Sequence, residues 1–61
     1  MKKAVDKTFE SIFILEEIRQ IWRETAPLHK LSDKQKKKLK NLVSQIEHSL
    51  KDILKEVEDE S

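Results

Sequence analysis

A chain of 61 residues has room for one small domain, and with no cysteine neither disulfides nor a zinc–thiolate site can stabilise it. Thirteen basic and twelve acidic side chains almost cancel to a net charge of +1, a mixed surface rather than one built around a polyanion. No apolar run approaches the roughly 18 residues of a membrane span. Asp6 and Glu10 interrupt the stretch after Met1-Lys2-Lys3, so that start does not read as a secretion signal. These features, with the lack of thiols, point to an intracellular, cytoplasmic protein.

The first helix is expected over residues 4–25. Glu, Ile, Leu, Arg and Gln dominate this stretch and no Gly or Pro breaks it. Asp6 and Glu10 suit the positive end of its dipole. Pro27 disfavours helical geometry at Ala26 and should end the helix there.

Its apolar residues are unusually distributed. Ile12, Phe13, Ile14 and Leu15 are consecutive, so at about 100° per residue they point to all sides. Val5, Phe9, Ile12 and Phe13 share one side. Ile14, Ile18, Ile21 and Trp22 share nearly the opposite one, with Leu15 between. Kinks need a cause such as Pro or Gly, and none is present. Helix one is therefore expected to touch partners on two faces. Trp22 suits either the core or a partner hot spot.

The loop is expected over 26–32. Ser32 is a good N-cap, and Gln35 three residues later completes a capping-box pattern. Leu28 and Leu31 either tuck under the hairpin end or are plain loop residues.

Helix two is expected over residues 33–58. Leu39, Val43, Ile46, Leu50, Ile53 and Val57 succeed one another at alternating spacings of four and three, and Leu42 and Leu54 widen the row. Two helices of matched length on a short loop become antiparallel neighbours.

The expected fold is all-α: a two-helix antiparallel hairpin that dimerises into a four-helix bundle. A domain of this size is marginal alone, and oligomerisation is the remaining remedy. The dimer interface and core are assigned to Phe9, Phe13, Ile14, Ile18, Ile21 and Trp22 of helix one. Helix two adds Leu39, Val43, Ile46, Leu50, Ile53 and Val57. A two-fold dimer is the commonest closed assembly.

No catalytic, metal or nucleotide motif stands out, so no enzyme activity and no cofactor is expected. Asp6, Glu10, Glu17 and Glu24 form an acidic stripe on helix one, but no Glu has a His three residues on, as bundle di-iron sites require. His48 projects opposite the apolar row beside Ser44, Lys51 and Lys55, and His29 lies in the loop. Both read as surface histidines, and general acid–base work would need a partner and a pocket.

Lys34, Lys36, Lys37, Lys38 and Lys40 crowd the start of helix two, while Glu56, Glu58, Asp59 and Glu60 crowd its end. Both clusters oppose the helix dipole. Either they are solvated charge runs, or the ends attract, the acidic tail lying beside Lys2, Lys3 and Lys7 in the hairpin and near the lysine cluster of the other helix two in an antiparallel dimer, or the lysines bind phosphates. The architecture resembles that of Rop, the plasmid copy-number protein, among the small dimeric hairpin bundles that can bind RNA; there is no shared motif. That resemblance implies an RNA contact through the lysine cluster. The acidic stripe opposes it, and no aromatic is interleaved with the lysines to stack on bases. The expected function is non-enzymatic protein–protein interaction, as a small adaptor or regulator whose partners are itself and another protein, with no membrane.

Overall fold

The computed structural model describes residues 2–59. Glu60 of the acidic cluster and Met1 lie outside the described residues. Helix α1 spans Lys2–Thr25 and helix α2 spans Asp33–Asp59, packed against each other as a hairpin. Each helix runs slightly past the range expected from pattern, because lysines at one end and acids at the other are themselves good helix formers.

The connection is held by local hydrogen bonds. The Thr25 hydroxyl donates back to the Ile21 carbonyl at 3.1 Å, and the His29 amide donates to the Thr25 carbonyl at 2.8 Å. His29 is in the left-handed region, with φ 54°. Histidine is one of the residue types enriched there among non-glycines. The Ala26–Pro27 peptide is cis. The capping box forms in both directions: the Ser32 amide donates to Gln35 Oε1 at 2.9 Å, and the Gln35 amide to Ser32 Oγ at 3.2 Å. Leu31 packs against the core, whereas Leu28 is 74% exposed. Of the two loop leucines, only the one beside the cap is carried inward by α2.

The helices meet along a seven-residue repeat. On α1 the seam residues are Ala4, Lys7, Ser11, Ile14, Ile18, Ile21 and Thr25. On α2 they are Gln35, Leu39, Leu42, Ile46, Ser49, Ile53 and Glu56. Among the described residues these positions and Leu31 are the ones withdrawn from solvent. Counting outward from the loop, Ile21 is level with Leu39, Ile18 with Leu42, Ile14 with Ile46, and Ser11 with Ser49.

The seam is unequal along its length. Near the loop it is apolar, with Ile14, Ile21 and Leu42 buried and Ile18, Leu31, Leu39 and Ile46 packed against them. Towards the open end it narrows to Ala4, Ser11 and Ser49, all buried, together with Lys7, Ile53 and Glu56. The Ser11 hydroxyl is satisfied within its own helix, donating to the Lys7 carbonyl at 2.8 Å.

The result is an elongated molecule of 45 × 16 × 13 Å with a radius of gyration of 14.2 Å, against about 10.5 Å for a compact chain of this length. It exposes 5155 Å², where a compact monomer of this mass would expose about 4200 Å². The excess goes with the elongated shape, which leaves eleven large apolar side chains exposed among the described residues.

Candidate functional site

That exposure is a consequence of the seam. A residue immediately after a seam residue is turned about 100° from it. Antiparallel helices are related by a two-fold axis across the seam, so these flanking residues of α1 and α2 fall on the same side of the hairpin. On α1 they include Val5, Ile12, Leu15 and Trp22. On α2 they include Val43, Leu50, Leu54 and Val57. All eight are exposed. On the opposite flank, the residues that immediately precede a seam residue are polar or charged with one exception, Phe13. The hairpin is thus two-sided: one broad face is polar, and the other carries these eight apolar side chains among Thr8, Arg19, Lys36, Lys40 and Glu47.

The apolar row expected on α2 is therefore divided. Leu39, Ile46 and Ile53 turn towards α1, whereas Val43, Leu50 and Val57 flank the seam and stay exposed. One helix cannot cover a row that wide. The seam runs instead through Leu42 and Ser49, with Ser11 and Ser49 both buried. Two buried serines carry no apolar signal in the sequence. The seven-residue spacing of Ala4, Ser11 and Ile18 on one helix, and of Leu42, Ser49 and Glu56 on the other, would have marked them.

On α1 the apolar residues do face more than one side, but the grouping differs from the expected one: Trp22 flanks the seam on the side of Val5 and Ile12, apart from buried Ile14 and Ile21, and Phe13 stands on the opposite flank. Ile14, Ile18 and Ile21 turn towards α2, and Ile14 is only 7% exposed. Phe9 and Phe13 lie on the outer side, Phe13 being 69% exposed. Trp22 is 39% exposed and meets the His29 ring edge-on at a centroid distance of 5.8 Å, so the loop histidine covers part of the indole.

The charged clusters are arranged lengthwise. Lys34, Lys36, Lys37, Lys38 and Lys40 are all exposed near the loop. At the open end Lys3, Asp52, Lys55, Glu56 and Asp59 line a shallow depression. Lys7 Nζ reaches Glu10 at 3.4 Å and Asp52 of the other helix at 3.9 Å. Glu10, Glu17 and Glu24 of the acidic stripe lie on the polar flank, each just before a seam residue.

No family model, no curated protein and no solved structure matches the chain. Among the described residues no three His, Asp or Glu side chains are gathered so as to hold a metal ion. His29 is engaged with Trp22, and His48 is exposed on the polar flank. Ser32 is engaged as a cap. Among the described residues no helix is long and apolar enough to cross a membrane. The arrangement offers a ridged apolar face about the length of the molecule, suited to burying another helical surface.

Proposed function

We propose that this chain is a small non-enzymatic protein–protein interaction module, an adaptor or regulator, that works as a homodimeric four-helix bundle. The observation carrying this reading is the apolar face shared by both helices, with Leu15 and Leu50 near its centre, both more than half exposed. A lone hairpin leaves that face wet, and burying each such side chain is worth on the order of 1 kcal/mol. A second hairpin laid face to face would bury it and complete a bundle core, with two-fold symmetry and no new element.

Such a dimer would cover Val5, Ile12, Leu15 and Trp22 of α1 with Val43, Leu50, Leu54 and Val57 of α2. Phe9 would sit at its rim, and Phe13 outside it. The outer aromatic pair, four residues apart on one helix, then remains for a different protein, and exposed aromatics of this kind anchor interfaces. The test is the concentration dependence of thermal unfolding. For an obligate dimer the melting temperature rises with protein concentration. A melting temperature constant over a hundredfold range would refute the reading.

A second reading, RNA binding, is favoured by the five exposed lysines at the loop end. Phosphate contacts would make affinity fall steeply with salt. Glu17 and Glu24 on the neighbouring flank count against it. Titration with mixed RNA and duplex DNA at ~0.15 M salt separates the two readings. Submicromolar, salt-sensitive binding favours the nucleic-acid reading, and none favours the protein one.

A further inference from the structure

The apolar face alone does not orient a second copy. Two arrangements satisfy a two-fold axis. In one the axis runs along the helices and both loops lie at the same end. In the other it crosses the helices and the loops lie at opposite ends. Both bring Leu15 and Leu50 into contact with apolar partners.

Charge distinguishes them. The loop half of the hairpin, residues 16–45, carries eight basic and four acidic side chains, a net +4. The open half, counting residues 2–15 and 46–59, carries five basic and seven acidic side chains, a net −2. The hairpin is a charge dipole along its 45 Å length. With the loops together, each positive half would lie over another positive half. With the loops apart, positive lies over negative at both ends.

We propose that the second copy docks on the apolar face with its loop at the opposite end, so that the lysine cluster of each α2 overlies the acidic end of the other α2. This rests on the dimer reading above.

The levels agree with it. Helix α2 is centred on Ile46 and α1 between Phe13 and Ile14. A crossing axis at that level brings Lys36 and Lys40 to the levels of Glu56 and Asp52 of the second copy. Glu56 lies in the seam and Asp52 on the polar flank, so the attraction is between the two ends as a whole and not a pairing of these side chains. The same axis sets Leu15 against the second copy's Ile12, and Trp22 against its Val5. Every helix has antiparallel neighbours in either arrangement, so the helix dipoles do not choose between them. Across the dimer each basic cluster, unfavourable at its own helix start, gains an acidic counterpart. The molecule's extents of 45 by 16 Å set an upper bound of about 700 Å² on the broad side of each copy, below the ~800 Å² per partner of a standard stable interface.

The lack of cysteine makes a clean test. A nitroxide is placed at Lys30→Cys in the loop, and separately at His48→Cys, an exposed position near the middle of α2. Intermolecular distances are read by pulsed dipolar spectroscopy. The His48 label reports a dimer of either orientation by a distance under about 30 Å, since neighbouring helices are 8–10 Å apart. The Lys30 label is expected at about 45 Å, roughly the length of the hairpin. A Lys30 distance under about 20 Å, with the His48 distance present, would overturn the orientation and leave the dimer standing. No dipolar signal at either position would overturn the dimer itself.

Discussion

Lys7 of α1 and Asp52 of α2 face each other across the hairpin at 3.9 Å, and this cross-helix ion pair lies on the polar flank. Lys7 is at a seam position that its partner helix fills with Ile53, one residue from Asp52, so the pair is consistent with the register set by the apolar seam. Its energetic worth is small, because both side chains keep solvent access. Asp52→Asn is expected to lower stability by no more than about 1 kcal/mol. Urea unfolding at low and high salt checks this, and the loss should shrink as salt rises.

The reciprocal bonds of Ser32 and Gln35 are worth more than that pair. Ser32→Ala removes an acceptor for the Gln35 amide and should cost about 0.5–2 kcal/mol, visible as a lower melting temperature by circular dichroism. Gln35→Ala removes the other half of the box and should cost less. Neither change touches the apolar face, so neither should alter the mass in solution.

Ile14 and Phe13 are neighbours in sequence with opposite surroundings. Ile14→Ala leaves a cavity in the seam and is expected to destabilise by about 2–5 kcal/mol. Phe13→Ser lies off both the seam and the dimer face and should stay within about 0.5 kcal/mol of the parent. A large loss of stability at Phe13 would mean that the outer side of α1 is buried in the assembly.

Much of the fold was legible because its signals are local. Pro27 ended α1, the Ser32–Gln35 spacing started α2, and the short loop between them forced an antiparallel pair. The scatter of apolar residues around α1 correctly implied that one helix could not cover them all. The seam itself was less legible. Pattern reading tracks large apolar residues, and it selected Val43, Leu50 and Val57 as facing partners along with Leu39 and Ile46. The hairpin uses Leu42 and Ser49 instead, and a buried serine carries no apolar signal. The candidate site is what that seam leaves exposed, and so emerged only once the seam was known.

The lysine cluster offers a test of the functional alternatives. Replacing Lys36, Lys37 and Lys38 together with Gln should leave folding intact, since all three are exposed and off the seam. Fewer bases at the positive end of α2 should be slightly stabilising within the helix. If the lysines contact nucleic acid, the slope of log affinity against log salt should flatten by up to about three contacts. The expected result is no measurable nucleic-acid binding by the parent at ~0.15 M salt, and so no slope to flatten.

The most direct measurement is the mass in solution, by light scattering on a size-exclusion column, of the parent and of Leu50→Glu. Leu50 is off the seam and exposed in the hairpin, so a charge there harms only an assembly that covers it. The parent is expected at twice its 7.3 kDa chain mass at micromolar concentration, and Leu50→Glu at a lower mass or unfolded. A parent that is folded at 7.3 kDa, or a Leu50→Glu variant that keeps the doubled mass and the parent melting temperature, would contradict the claim that this face receives a second copy.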